Sequence, residues 1–231
     1  MHWEWLANPE YQHLLLVGLY YTFVLLVTSV TIGFAMAIPI GLVQVTGPWP
    51  LRMLARGFCT FIRGTPLLIQ LWLLYYGLGS LLPSIPWVRT SFMWPVLREG
   101  FYYAVLGLSL SVAGYQGEIM RGAFLGVPRG ELEAARAFGM SGWKLTSRVW
   151  FPRAVLQVLP TLAGETISQL KSTPLAFTIT VMDLMGARFK ISSDTYIIYE
   201  PLILIALIYM ALTFIITRAF DYAENLIPTR R

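Results

Sequence analysis

Long blocks of apolar residues restrict the fold of this 231-residue chain more than any other feature of its sequence. A helix needs about 20 mainly apolar residues to cross the hydrocarbon core of a bilayer. Hydrophobic residues make up 56% of the chain and charged residues 13%, which is too little charge to cover the surface of a soluble domain. The sequence therefore predicts an all-α integral membrane protein, in which residues 1–231 form a single transmembrane domain.

About five blocks are long enough to be membrane spans, and the polar stretches between them are predicted loops. Inside the first span, Gly33, Ala37 and Gly41 recur every four residues, a spacing that lets a second helix approach closely. Residues 44–56 are predicted to be a loop, and residues 83–100 and 182–200 are predicted external loops. The predicted spans are residues 14–43, 55–82, 101–120, 156–183 and 201–220.

The basic residues predict the orientation of the chain, because Lys and Arg accumulate in cytoplasmic loops. With the N-terminus outside, the outer side holds only Arg89, Arg98, Arg188 and Lys190. Contact with anionic lipid explains the net charge of +5, and no basic stripe interleaved with aromatic residues suggests a nucleic-acid partner. The basic residues predicted on the inner side are Arg52, Arg56, Arg121, Arg129, Arg136, Lys144, Arg148, Arg153, Arg218, Arg230 and Arg231.

The long polar segment 121–153 predicts two short helices on the cytoplasmic side. Pro128 suits the first turn of a helix, and Gly139 suits its C-terminal end. Leu132, Ala135 and Phe138 recur at helical spacing and are predicted to share one face. On this pattern alone two interpretations stay open: an amphipathic loop on the membrane surface, or a docking element for a cytoplasmic partner.

The same segment carries a spaced motif: Glu133-Ala134-Ala135, three residues, Gly139, nine residues, and then Val149-Trp150-Phe151-Pro152. This motif resembles the EAA loop of ABC importer membrane subunits. That pattern is Glu-Ala-Ala, three residues, Gly, nine residues, Ile, one residue, and Leu-Pro. Val149 and Phe151 replace its Ile and Leu, which are conservative apolar changes. The resemblance implies that this coupling helix is seated in a groove of an ATP-binding subunit. The residues to which it assigns this coupling role are Gly130, Glu133, Ala134, Ala135, Gly139 and Pro152.

Three more stretches resemble the permeases of polar and basic amino acids, the HisM-like branch that includes histidine, arginine, lysine, ornithine and opine importers. They are FIRGTPLLIQL with YYG at residues 61–77, AGYQGEIMRGA at 113–123, and ETISQLKSTPLAFT at 165–178. The resemblance runs from about residue 14 to the C-terminus. It implies the type I ABC permease (MetI-like) fold and a bacterial inner-membrane location, with a periplasmic N-terminus and a cytoplasmic C-terminus.

The resemblance also implies a subunit that is not an enzyme by itself. No Gly-x-x-x-x-Gly-Lys-[Ser/Thr] phosphate-binding loop is present, so ATP and Mg²⁺ are expected on a dimer of partner ATPase subunits. The other expected partners are a periplasmic binding protein, the lipid bilayer, an amino-acid substrate, and a second permease subunit, either homologous or identical. No metal site or cofactor is expected on this chain, whose single cysteine, Cys59, carries no metal motif.

Four ionisable residues, Arg63, Glu118, Glu165 and Lys171, fall within the predicted spans. Charges at that depth are costly and usually face a cavity or a partner. Opposite charges at similar depth predict a paired layer, which either locks or gates the inner half of the bundle or lines the path of a charged substrate. Thr65 and Pro66 interrupt the second span, either as a simple kink or because the broken helix lines a cavity.

Two other functions are compatible with a polytopic membrane protein. An ion-driven secondary carrier would show internal repeats, and none is evident. A membrane scaffold without transport activity gives no reason for the spacing from Glu133 to Pro152.

Overall fold

The computed structural model describes residues 3–226, and the regular structure within this range is entirely helical. Arg230 and Arg231, two of the predicted inner-side cations, lie outside the described residues. The α-helices are α1 (Pro9–Thr46), α2 (Trp49–Gly64), α3 (Leu67–Trp72), α4 (Gly79–Leu81), α5 (Pro86–Arg89), α6 (Trp94–Leu97), α7 (Gly100–Gly126), α8 (Arg129–Ala137), α9 (Gly142–Leu145), α10 (Phe151–Ser172), α11 (Leu184–Thr195) and α12 (Tyr199–Asn225). Tight 3₁₀ turns cover Glu4–Ala7, Leu82–Ser84 and Thr173–Ile179, and π-helical turns cover Leu73–Leu78 and Thr146–Trp150.

The centre of the bundle is α7, which packs against α1, α2, α3 and α10. Small residues make this close packing possible. Gly107 lies against Leu71 of α3, and Gly114 lies against Ile62 of α2. One core cluster surrounds Leu25 and Leu108, and a second surrounds Met120 and Phe124 near the C-terminal end of α7.

The predicted small-residue stripe on α1 is confirmed, because all three of its residues are buried and two of them directly face α7. A Cβ added to Gly33 would lie 2.4 Å from the Cβ of Val112, and one added to Gly41 would lie 2.7 Å from the Cβ of Met120. In a lipid environment, such close backbone approach supplies the van der Waals contact that holds helices together.

A Gly33→Ala substitution is therefore expected to lower the thermal unfolding temperature of the purified protein, because the new methyl group must push α1 away from Val112 and the carbonyl of Ser109. Overpacking of this kind costs about 1–3 kcal/mol. Gly122→Ala on α7 is the matched control, since nothing lies within 4 Å of its added Cβ. The control should keep or slightly raise the unfolding temperature because alanine favours the helix by about 1 kcal/mol. Equal unfolding temperatures for the two variants would contradict the packing described.

Three segments of residues 3–226 are long and apolar enough to cross a membrane: Pro9–Thr46, Leu67–Ser84 and Tyr199–Asn225. The other two predicted spans correspond to α7 and α10, which are long helices with a more polar composition. Most of α7 is buried by other helices, so its polar residues face protein rather than lipid. This burial explains why α7 can belong to the bundle without a strongly apolar sequence.

Two predicted loops are wrong as secondary structure. Between residues 44 and 56 only Gly47 and Pro48 lie outside a helix, because Pro48 suits the residue that precedes a helix and α2 begins directly after it. Residues 182–200 contain α11, whose start is capped by Asp183, with its Oδ1 accepting from the Gly186 N–H at 2.8 Å. This helix was not predicted because its sequence is polar, although Leu184, Ala187 and Ile191 are fully buried.

Candidate coupling surface and membrane cavity

The segment predicted to couple to an ATPase contains α8, which ends in a Schellman motif. The Gly139 N–H donates to the Arg136 carbonyl at 2.9 Å, and the Met140 N–H donates to the Ala135 carbonyl at 3.1 Å. Gly139 has φ +80°, a conformation that favours glycine, so the prediction that it ends this helix is confirmed. Pro128 occupies the position just before the helix instead of its first turn.

One face of α8 packs against the helical bundle. Ala135 is buried, and Leu132 packs on the cluster that contains Phe124 and Trp150. The indole N–H of Trp150 donates to the Phe124 carbonyl at 2.8 Å. These contacts join α8 to the end of α7 and to the turn that precedes α10.

A bidentate ion pair also joins α8 to α10, because the Arg153 guanidinium donates to both carboxylate oxygens of Glu131. The Nε–Oε2 distance is 2.6 Å. These hydrogen bonds lower the pKa of Glu131 and raise the pKa of Arg153 from their ordinary values. Since both groups contact solvent, the pair orients α8 on α10 more than it stabilises the fold.

The opposite face of α8, away from the bundle, is exposed to solvent. Gly130, Glu133 and Ala134 are exposed, and Phe138 is 87% exposed. The predicted shared face of Leu132, Ala135 and Phe138 is therefore wrong for Phe138. The helix ends at Ala137, so Phe138 leaves the helical register and points away from the bundle. Pro152 is half-buried in the first turn of α10, behind this surface.

A cavity of about 320 Å³ opens between α2, α3, α7 and α10. It brings together Thr65 and Glu165, two of the residues predicted on a substrate path. Buried amides also line it: Gln169 donates to the Ser29 hydroxyl and the Leu108 carbonyl, both at 3.2 Å, and Gln116 has an Oε1 without a hydrogen-bond partner. The complete lining is Ile62, Thr65, Leu67, Ser111, Val112, Tyr115, Gln116, Glu165, Ser168, Gln169 and Ser172.

The break between α2 and α3 at Thr65 and Pro66 shapes this cavity. Thr65 is extended, as a residue before proline prefers, so the helix must stop there. The Gln70 side-chain amide donates to the Ile62 carbonyl at 2.9 Å and to the Thr65 hydroxyl at 2.7 Å. Freed backbone groups are thus satisfied beside the cavity, as they must be inside a membrane.

The predicted layer of paired charges is not formed as expected. Glu118 is paired with Arg121 one turn further along α7, with an Nε–Oε1 distance of 2.8 Å. The Arg63 guanidinium lies over the Tyr115 ring, 5.7 Å from its centroid, and makes no ion pair within residues 3–226. Arg63 and Glu118 line the same pocket, but no salt bridge joins Arg63 to Glu118 or Glu165 in residues 3–226.

The remaining predicted path residues lie outside the cavity lining. Lys171 is exposed on α10, and Pro66 directly precedes α3 without lining the cavity. Sequence reasoning did not single out Gln116, Gln169 or the serines of the lining. Amides in otherwise apolar spans were the available signal, because polar side chains at that depth form hydrogen bonds to other helices.

In the part of the chain from 3 to 226, no group of three or more His, Cys, Asp or Glu residues could hold a metal ion.

With α7 packed among the long helices α1, α2 and α10 and with the exposed surface of α8, the chain has the architecture of an importer membrane subunit. Residues 29–227 match the family described as the binding-protein-dependent transport system inner membrane component, and the chain belongs to that family. It is a permease subunit of an ABC importer and does not catalyse ATP hydrolysis itself.

Similar permeases support this assignment. The octopine permease OccM of Rhizobium radiobacter is 42% identical over 218 residues, which cover 94% of this chain and 87% of OccM. The nopaline permease NocM of Agrobacterium fabrum is 37% identical over 88% of this chain and 83% of NocM. The histidine/lysine/arginine/ornithine permease HisM of Escherichia coli is 35% identical over 90% of this chain and 86% of HisM.

A solved structure shares the fold. The crystal structure of an amino acid ABC transporter with histidines matches with a TM-score of 0.81 and 32% identity, covering 98% of this chain and 100% of that one. The MetNI methionine ABC transporter matches with a TM-score of 0.74 at 19% identity, which shows the MetI-like fold alone.

Proposed function

We propose that this permease imports basic amino acids or opines by alternating access, driven by ATP hydrolysis on partner subunits. The proposal rests on the polar cavity with Glu165 in its wall, together with the exposed surface of α8 that ends at Phe138. The OccM, NocM and HisM relatives support this substrate class, because their names state opines and basic amino acids.

The cavity suits a substrate that carries both signs of charge. Glu165 would attract a guanidinium or ammonium group, and Arg63, at the inner edge against Tyr115, would attract a carboxylate. Gln116 offers an acceptor that has no partner within the described chain. Thr65 and Pro66 keep α2 and α3 separate beside the cavity. We place Glu118 and Lys171 along the substrate route, on either side of the cavity, as gating charges.

The coupling surface suits a groove on an ATPase subunit. Gly130, Glu133, Ala134 and Phe138 face outward, while Ala135 and Pro152 connect this surface to the bundle. Closure of two ATPase subunits on ATP and Mg²⁺ would draw two such surfaces together. The assembly therefore contains a second permease subunit, homologous or identical, and a periplasmic binding protein that delivers the substrate.

The orientation in the inner membrane follows from this arrangement. The segment 121–153 must face the cytoplasm to meet the ATPase, which puts the N-terminus in the periplasm and the C-terminus in the cytoplasm. The basic residues on the same side support this orientation.

Uptake by the full complex in proteoliposomes tests the proposal. With ATP inside and the binding protein outside, labelled arginine or octopine should accumulate, and accumulation should stop without ATP. An ionophore that collapses ion gradients should leave uptake unchanged. Uptake that follows the gradient and ignores ATP would show a secondary carrier instead.

A further inference from the structure

We propose that a second pocket, at the inner end of α1, α2 and α7, binds the headgroup of an anionic phospholipid. Its volume is about 350 Å³, and none of its lining residues lines the cavity assigned above to substrate. Two of them, Arg63 and Glu118, are the charges placed above beside the substrate route, so the two sites adjoin. The lining residues are Gln44, Arg56, Cys59, Thr60, Arg63, Glu118 and Arg121.

The charges of this pocket favour a phosphate. Three guanidinium groups face a single carboxylate, so the pocket keeps an excess of positive charge. Glu118 occupies the Nε and one Nη group of Arg121, and the other three N–H donors of that guanidinium remain available. Arg56 makes no ion pair in the described part of the chain. Arginine donors are well suited to phosphate oxygens because they bind two of them at once.

Gln44 supplies a second, independent indication that the pocket takes a ligand. Its side chain is 2% exposed, and its Nε2 donates to the Cys59 sulfur at 3.5 Å. Its Oε1 is buried without any hydrogen-bond donor. A buried acceptor left without a partner is unfavourable. The glycerol hydroxyl of a phosphatidylglycerol headgroup would donate to this oxygen while its phosphate lies against the arginines.

The depth of the pocket favours a lipid over a free anion. Arg56 is roughly 10 Å along α2 from its start at Trp49, and Arg121 is roughly 8 Å from the end of α7. In the proposed orientation, this depth is close to the boundary between headgroups and hydrocarbon of the inner leaflet. Exposed apolar side chains on the same helices offer surface to the acyl chains, with Leu54 70%, Phe61 62% and Leu125 59% exposed.

The test measures lipid binding to the complete detergent-purified transporter after lipid removal, by native mass spectrometry and by thermal shift. Phosphatidylglycerol, phosphatidylcholine, inorganic phosphate and arginine are titrated separately. Arg56→Gln and Gln44→Leu remove a donor and the acceptor of the pocket. Arg218→Gln is the matched control, because Arg218 is an exposed arginine on α12 that stacks on Phe214 outside the pocket.

We expect phosphatidylglycerol to bind, phosphatidylcholine to bind much more weakly, and Arg56→Gln to lower the affinity roughly tenfold while Arg218→Gln does not. Because Arg56 is exposed, its replacement leaves the fold intact even if Gln44→Leu does not. Displacement of the lipid by millimolar phosphate would show a free-anion site, and displacement by arginine would show part of the transport path. Either result, or equal binding by the Arg56 and Arg218 variants, would overturn the assignment.

Discussion

Replacement of Phe138 by aspartate is expected to detach the ATPase subunit from this permease and to abolish ATP-driven uptake. Phe138 is 87% exposed at the end of α8, so its ring stabilises nothing within the described chain. Burial of one phenylalanine in a partner groove contributes about 1.5–3 kcal/mol, and a buried unpaired carboxylate would add a penalty. The affinity should fall at least about tenfold, measured by co-purification of the tagged permease with its ATPase and by uptake into proteoliposomes.

Phe92→Asp is the matched control for this experiment. Phe92 is 92% exposed and lies in the segment between α5 and α6, at the opposite end of the bundle from α8. The control should bind the ATPase and transport normally, and both variants should elute as folded protein. If Phe138→Asp kept its ATPase and its uptake, the exposed end of α8 could not be the docking surface.

The position of Phe138 illustrates what sequence periodicity can and cannot predict. The spacing of Leu132, Ala135 and Phe138 indicates one helical face, and the prediction holds for the first two residues, which lie inside the helix. Gly139 was also predicted to end the helix. The end comes early enough to place Phe138 at the C-cap, where helical spacing no longer fixes the direction of a side chain. Helical spacing therefore predicts the direction of a side chain poorly at the last residue of a helix.

Helix packing was more predictable than the polar sites. The stripe of Gly33, Ala37 and Gly41 specifies close approach to another helix by steric size alone, and α7 fills that role. The ion pairs depend on rotation of one helix against another, which the sequence does not encode locally. Glu118 was expected in a layer of oppositely charged residues on different helices, yet it pairs with Arg121 on its own helix. Neighbours at i and i+3 are close without any tertiary constraint.

The membrane cavity could be predicted only in part. Glu165 and Thr65 were singled out because a charge and a helix break are unusual inside a span. Gln116 and Gln169 are more deeply buried than these two residues, but neutral amides give a weaker sequence signal than a charge. Their convergence on one cavity arises from the contacts of α7 with α1, α2 and α10, which are long-range in the sequence.

A Glu165→Gln substitution is expected to lower uptake of arginine at least about tenfold while assembly with the ATPase stays normal. Glutamine keeps the size of the side chain and removes its charge. A hydrogen bond to a charged group contributes about 1.5–3 kcal/mol, and the cavity's partial exclusion of water favours the upper part of that range. The measurement is the concentration dependence of labelled arginine uptake by the full complex in proteoliposomes, with ATPase co-purification measured in parallel.

Glu99→Gln serves as the matched control, because Glu99 is an exposed carboxylate that pairs with Arg98 and is separated by all of α7 from the coupling segment. It removes the same charge outside the cavity and should leave uptake unchanged. Glutamine, whose side chain is neutral, should be transported equally by wild type and by Glu165→Gln if the complex accepts it, since no cationic side chain then needs the carboxylate. Arginine kinetics in Glu165→Gln that match the wild type would remove Glu165 from the substrate path, whereas a loss of ATPase binding would show that its role is structural.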